Sequence, residues 1–111
     1  MDLHDFARFM PKTQLHVHLE GAIRPSTLLQ LARNNGVELP AQDVQGLRDF
    51  YRFRDFDHFV EVYLTITGCL CCPDDYHLIA YEFGHDCARQ NVRYAEVTFT
   101  IATNVKMTGL P

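Results

Sequence analysis

The chain has 111 residues, of which 47% are apolar, and a formal net charge of −4 with histidine neutral. This length suits one small domain, and the apolar content is sufficient for a hydrophobic core. The acidic balance argues against a nucleic-acid partner, and no apolar run reaches the roughly 18 residues of a membrane span.

The first predicted strand lies in residues 15–19, where apolar residues alternate with histidines. Leu15, Val17 and Leu19 are separated by two histidines, and this period of two is typical of a β-strand. Because successive side chains of a strand point to opposite faces, His16 and His18 are expected to share the face opposite the aliphatic residues.

These two histidines are candidate metal ligands. A rise of about 3.3 Å per residue places their Cα atoms roughly 6.6–7 Å apart, so both rings can lean onto one zinc ion with Zn–N bonds of about 2.0–2.1 Å. Gly21 is expected to end the strand, which puts the pair near its C-terminal end. A His-x-His pair is a weak signal by itself, and two hydrogen-bonded histidines on a half-exposed strand are the simpler alternative.

Three helices are predicted between this strand and the next. The first begins at Arg24-Pro25-Ser26, because proline fits a first helical turn, and it stops at Gly36. Residues 37–46 are expected to form a loop. The second helix begins after Asp55, a suitable N-cap, and the third begins near Pro73, where two acids suit the positive end of the helix dipole.

The second and third helices carry apolar stripes at helical spacing. Both stripes are expected to be buried core, and an aromatic wall over a pocket is the alternative for the second helix. His58, His77 and His85 lie off the stripes and are expected at the surface. The stripes comprise Phe56, Phe59, Val60, Tyr63 and Leu64 in the second helix, and Tyr76, Ile79, Ala80, Phe83 and Cys87 in the third.

A second strand is predicted over residues 92–101, which are rich in β-branched and aromatic residues. Glu96 lies in its middle, where a buried carboxylate needs a partner, so it is either a salt-bridged structural group or part of a site. Strands separated by helices indicate parallel pairing and an α/β fold. The open edges of a two-stranded sheet favour self-association of the fragment.

The N-terminus lacks the pattern of a signal peptide, which favours a cytoplasmic location. Cysteines in that compartment are expected to be thiols. The run Cys69-Leu70-Cys71-Cys72 could indicate a metal cluster, but no second Cys/His pair follows at zinc-finger spacing. Buried or half-buried thiols are therefore expected at all four cysteines, including Cys87.

The run from Pro11 to Pro25, with His16-Val17-His18-Leu19-Glu20-Gly21 at its centre, resembles the opening of the adenosine deaminase family. Arg93-Tyr94-Ala95-Glu96-Val97 is similar to the family's second strand, although Thr98 stands where many members have Arg. The resemblance implies an α/β fold, the N-terminal portion of a (β/α)8 TIM barrel that is incomplete in this chain. Residues 1–111 are then the first part of a single metal-dependent deaminase domain.

The resemblance also implies a site. By matching positions, His16 and His18 are two of the family's zinc ligands, and His18, Glu20 and Gly21 bind the substrate. The family's other ligands and its catalytic residues lie on later strands, so no catalytic residue is expected here. The 111 residues alone are therefore expected to be inactive.

The implied reaction is zinc-dependent hydrolytic deamination of adenosine to inosine and ammonia, with a small-molecule purine as partner and neither nucleic acid nor membrane. Some adenosine-specific members have Asp at the position of Glu20, whereas Glu is typical of adenine deaminases and related enzymes. Adenosine is ranked first, with adenine or a modified adenosine as alternatives. A non-catalytic α/β fragment or binding module is the alternative from another class, because two ligands rarely hold catalytic zinc.

Overall fold

The computed structural model describes residues 1–109. No helix within that range has both the length and the apolar character needed to cross a bilayer. In chain order the elements are α1 (Leu3–Phe9), β1 (Lys12–His18), a 3-10 turn (Glu20–Ala22), α2 (Pro25–Asn35), α3 (Val44–Phe50), α4 (Phe56–Thr67), α5 (Pro73–Arg89), β2 (Val92–Thr98) and α6 (Ile101–Thr108).

The two strands pair in parallel, which confirms the prediction from the order strand, helices, strand. His18 lies opposite Thr98 at the carboxyl end of the ladder. Active sites of (β/α)8 barrels and of open α/β sheets lie outside the carboxyl ends of the strands. The pairing therefore places His18 at the edge of the sheet where a ligand is expected.

β1 is displaced toward the N-terminus relative to the predicted strand of residues 15–19, because it spans Lys12–His18. It ends at His18, and Leu19 has helical backbone angles (φ −55°, ψ −44°) at the start of the 3-10 turn. Gly21, which was expected to end the strand, lies inside this turn. The turn also directs the side chain of Glu20 into the protein, where it is fully buried.

The hydrophobic core lies among the helices and not on the sheet. Leu28 on α2, Leu47 on α3 and Leu70 before α5 are each 0% exposed. No residue of β1 or β2 is fully buried, and Leu15 is 66% exposed. The aliphatic face expected on β1 is therefore not a core face in the described chain, because only one neighbouring strand and few helical residues cover it.

α3 begins inside residues 37–46, which the sequence predicts as a loop, and continues into residues to which the sequence assigns no element. The Asp43 carboxylate caps it by accepting a hydrogen bond from the backbone N–H of Gly46 at 2.7 Å. Its one fully buried side chain is Leu47. The helix has only seven residues, so it offers too few turns for a periodic apolar pattern to be recognised.

The prediction that the stripe of α4 is buried core is wrong. The buried residues of this helix are Val62, Ile66 and Thr67, which lie on a different face. Both faces of α4 carry apolar residues, so the sequence alone does not show which face is buried. Phe59 and Tyr63, from the predicted stripe, line a cleft. The exposed members of the predicted stripe are Phe56, Phe59, Val60 and Leu64.

α5 confirms the third predicted helix, with a partly buried stripe. Ile79 is buried, whereas Ala80 is exposed. His77 and His85 are exposed, as predicted. His58 is half-buried instead of solvated, because its ring packs edge-on against an aromatic neighbour.

β2 ends at Thr98, and residue 101, predicted as its last residue, begins α6. Glu96 is exposed, not buried as expected, because no described element covers its face of the strand. Its carboxylate accepts a hydrogen bond from the Tyr94 hydroxyl at 2.8 Å.

The four cysteines are free thiols, as predicted. The Asp75 carboxylate accepts hydrogen bonds from the backbone N–H groups of Cys71 and Cys72, at 2.8 and 3.1 Å. This segment is thus organised as a cap for the start of α5. Burial raises the pKa of the Cys69 thiol to about 11.

An ion pair joins the start of α2 to α5. Arg24 donates from Nε and Nη2 to the two carboxylate oxygens of Asp86, at 3.0 and 2.6 Å. The hydrogen-bonded guanidinium lowers the pKa of Asp86 below its ordinary value of 3.8. The pair therefore stabilises the fold only where Asp86 is ionised.

We expect Asp86→Asn to destabilise the protein at neutral pH and to have little effect in acid. Because the folded-state pKa of Asp86 is lowered, the pair contributes fully above the unfolded value and is lost as pH falls through the folded value, below 3.8. Thermal unfolding of both proteins at pH 7 and at a pH well below 3.8 measures this, with exposed Glu61→Gln as control. A stability gap that is the same at every pH would contradict it.

Candidate metal centre

A cleft of about 560 Å³ opens at the carboxyl end of β1. This volume lies within the range of about 300–1,000 Å³ typical of small-molecule sites. β1, the 3-10 turn, α4 and the segment after β2 form its walls. Its lining includes His16, His18, Gly21, Phe59, Tyr63 and Thr100.

The two histidine rings lie side by side in this cleft, so the prediction that they share one face of β1 is confirmed. Their Nε2 atoms are 3.2 Å apart, and the ring planes are tilted by 35°. Two zinc ligands with bonds of about 2.0–2.1 Å and a tetrahedral angle would have nitrogens about 3.3–3.4 Å apart. The observed geometry of His16 and His18 therefore fits a shared tetrahedral ion. The same distance also suits one N–H···N hydrogen bond between neutral rings.

The pair supplies two of the three protein ligands that catalytic zinc normally takes. Among residues 1–109 no group of three or more His, Cys, Asp or Glu side chains is placed to hold a metal ion. The described residues therefore supply His16 and His18 as a pair of candidate ligands.

Aromatic residues of α4 form one wall of the cleft. The Tyr63 ring meets the His18 ring edge-on, with centroids 6.1 Å apart and planes at 88°. Phe59 lies one turn earlier, and its ring contacts both Phe53 and Phe56. This arrangement corresponds to the alternative interpretation of the α4 stripe, an aromatic wall beside a pocket. Burial raises the pKa of Tyr63, which keeps its hydroxyl a hydrogen-bond donor.

Glu20 is enclosed beneath the cleft and 0% exposed. Its Oε1 accepts hydrogen bonds from the N–H and Oγ1 of Thr100 and from Nδ2 of Asn104, each at 2.9 Å. Its Oε2 accepts one from the Tyr63 hydroxyl at 3.0 Å. Burial would raise the pKa of this carboxyl, but the hydrogen bonds outweigh burial and lower it. Glu20 is therefore ionised at neutral pH and directed away from the cleft, unlike His18.

Sequence reasoning missed Thr100 and Asn104 because it extended β2 through residues 92–101. In the structure Thr100 precedes α6, and Asn104 lies one turn into that helix. Residues four apart share a helix face, so both can reach the same carboxylate. No capping pattern marks this helix start, because the Thr100 hydroxyl binds Glu20 and makes no cap hydrogen bond.

The adenosine deaminase family model matches residues 11–110 of the chain. The chain is 41% identical over 99 residues to an aminodeoxyfutalosine deaminase of Streptomyces coelicolor, covering 89% of this chain and 26% of that protein. It is 30% identical over 102 residues to an adenine deaminase of Chlorobium phaeobacteroides, covering 92% of this chain and 30% of that protein.

Two solved structures share the fold. An adenine deaminase from Arthrobacter aurescens superposes with a TM-score of 0.82 and 30% identity, over 91% of this chain and 31% of that one. An amidohydrolase from Burkholderia ambifaria with bound Zn has a TM-score of 0.79 and 33% identity, over 96% of this chain and 29% of that one.

The chain spans about a quarter to a third of the length of these relatives. Its strand–helix arrangement is the N-terminal portion of a (β/α)8 barrel, as the resemblance implied. With a family match over nearly all of its length and this fold, the chain belongs to the adenosine deaminase family.

Proposed function

We propose that the complete protein containing this chain is a zinc-dependent deaminase that hydrolyses the amino group of an adenine ring to a carbonyl and releases ammonia. Residues 1–111 form the first part of its single barrel domain. The observation that carries this proposal is the 3.2 Å separation of the Nε2 atoms of His16 and His18. The bound Zn of the Burkholderia ambifaria amidohydrolase supports the choice of metal.

The proposed substrate carries an adenine base. The relatives are named aminodeoxyfutalosine deaminase and adenine deaminase, and these names support a deaminated aminopurine without specifying adenosine. Adenosine, adenine and aminodeoxyfutalosine are therefore the three candidates. The sequence ranks adenosine first, whereas the 41% identity to an aminodeoxyfutalosine deaminase favours a modified nucleoside.

In the proposed reaction His16 and His18 hold the metal through their Nε2 atoms. When bound, zinc supplies Lewis acidity that makes water a competent nucleophile near neutral pH. Phe59 and Tyr63 line the cleft and offer aromatic side chains against which a planar base can pack. The wall would exclude water from one face of the base and hold it beside the metal.

Gly21 leaves the cleft open beside the metal pair. A Cβ built on Gly21 would lie 3.8 Å from the Cβ of His18, an ordinary contact. The fold can therefore accept a side chain here, and the benefit of glycine lies in the space it leaves for a ligand. We propose that His18 and Gly21 contact the substrate, and that Glu20 does not contact it directly.

Ammonia release by the zinc-loaded complete protein tests the proposal. We expect turnover of at least one of adenosine, adenine and aminodeoxyfutalosine, and none of inosine, which lacks the amino group. Treatment with a chelator is expected to abolish the activity, and zinc to restore it. The isolated 111 residues are expected to release no ammonia, because residues 1–109 form no group of three metal ligands.

Failure of the complete protein on all three substrates would favour the alternative, a non-catalytic binding module. Retained activity after chelation would contradict the zinc requirement. Self-association of the isolated fragment through a sheet edge and a cytoplasmic location are further predictions from the sequence.

A further inference from the structure

We infer that Glu20 is a positioning residue that fixes the Tyr63 ring and the Thr100 turn around the metal ligand His18. This inference rests on the proposed function. It assigns the buried carboxylate a role other than binding substrate, because all four of its hydrogen bonds are made to the protein itself.

The carboxylate ties together three segments that are far apart in the chain. Glu20 lies in the turn directly after β1, Tyr63 on α4, and Thr100 and Asn104 at the start of α6. The partners are 43, 80 and 84 residues away. A single buried group thus links the end of the metal-binding strand to both walls of the cleft.

The donors around Glu20 have their own fixed orientation. The Oδ1 atom of Asn104 accepts a hydrogen bond from the Tyr76 hydroxyl at 2.7 Å, and its Nδ2 also donates to the carbonyl of Thr100 at 2.7 Å. The amide of Asn104 is therefore held with its N–H groups toward Glu20 and Thr100. Such fully satisfied buried networks specify one arrangement of the groups that they join.

The network reaches the metal ligand through Tyr63. The hydroxyl of Tyr63 is held by Glu20, while its ring packs edge-on against His18 at 6.1 Å. Thr100, whose N–H and hydroxyl both bind Glu20, also lines the cleft. The Tyr63 hydroxyl and Thr100 Oγ1 also contact each other at 2.5 Å. Loss of the carboxylate would leave this pair without its buried acceptor and loosen the support of the His18 ring.

The length of the Glu20 side chain matters as well as its charge. Oε1 accepts hydrogen bonds from the N–H of Thr100 and from Nδ2 of Asn104, each at 2.9 Å, and Oε2 accepts one from the Tyr63 hydroxyl at 3.0 Å. Aspartate is shorter by one carbon–carbon bond of about 1.5 Å, so its oxygens would lie farther from the donors on α4 and α6. Glu20→Asp therefore preserves the charge and weakens the hydrogen bonds of residue 20 to Tyr63, Thr100 and Asn104.

The test measures zinc affinity by chelator competition, together with kcat and KM, on the complete protein. The variants are Glu20→Asp, Asn104→Ala and their combination, with Lys106→Ala on the exposed face of α6 as the matched control. We expect each single variant to weaken zinc binding and lower kcat by about 10- to 100-fold, as for other residues that orient metal ligands. We expect the double variant to have the same zinc affinity and kcat as whichever single variant loses more. We expect the Lys106→Ala control to match the wild type in both.

A raised KM in Glu20→Asp, with zinc affinity unchanged in both single variants, would indicate direct substrate binding and overturn the inference. If Glu20→Asp does not fold, Tyr63→Phe serves instead, because it removes one hydroxyl and keeps the ring. Wild-type zinc affinity in Tyr63→Phe would then overturn the inference.

Failure of the proposed function itself gives a different result, in which the wild-type protein neither binds zinc nor releases ammonia. The hydrogen-bond network of Glu20 is then tested by the loss of thermal stability in Tyr63→Phe, in Asn104→Ala and in the double variant. Non-additive losses support a coupled network through Glu20, and additive losses overturn it.

Discussion

We expect His16→Ala to lower both the zinc affinity and the deaminase activity of the complete protein by more than about 100-fold. Residues that only orient metal ligands cost about 10- to 100-fold when changed, and the loss of a ligand must exceed that. The Nε2 of His16 lies 3.2 Å from that of His18, so removal of either ring leaves the other with no second metal ligand among residues 1–109. Isothermal titration with zinc and the ammonia assay measure the two effects.

His85→Ala is the matched control for this experiment. His85 is exposed on α5 and lies outside the cleft. We expect it to bind zinc and turn over substrate as the wild type does. Activity in His16→Ala equal to that of the control would remove the histidine pair from the mechanism.

We expect Leu47→Ala to lower the free energy of unfolding of the complete protein. Leu47 is 0% exposed and is the one fully buried side chain of α3. Truncation of a buried leucine removes its transfer free energy and leaves a cavity, and costs about 2–5 kcal/mol of unfolding free energy. Chemical denaturation of the complete protein without zinc measures this loss separately from metal binding.

Leu64→Ala provides the comparison. Leu64 belongs to the apolar stripe of α4 but is 40% exposed. We expect its loss to cost about 1 kcal/mol or less, because exposed sites rarely cost more. Equal losses at Leu47 and Leu64 would show that the described burial does not govern the stability of the complete protein.

The sequence predicts the local features that depend on neighbouring residues. The cap at Asp55, the proline start of α2 and the left-handed stop at Gly36 all appear in the structure. The alternation of residues 15–18 also predicts that two rings share one face. Each of these follows from backbone geometry and hydrogen bonding within one or two turns.

The features that the sequence did not predict depend on contacts between distant segments. α4 has two apolar faces, and only burial in a core cluster with residues of other elements selects Val62 and Ile66 over Phe56 and Val60. The inward direction of Glu20 is set by donors 43 to 84 residues away. No local pattern around residue 20 contains that information.

The geometry of the metal itself tests the central claim most directly. X-ray absorption at the zinc edge, or anomalous scattering from crystals of the complete protein, locates the ion and its ligands. We predict a single ion with both Nε2 atoms of His16 and His18 at about 2.0–2.1 Å. An ion bound elsewhere in the protein, or one that touches only one of these two rings, would contradict it.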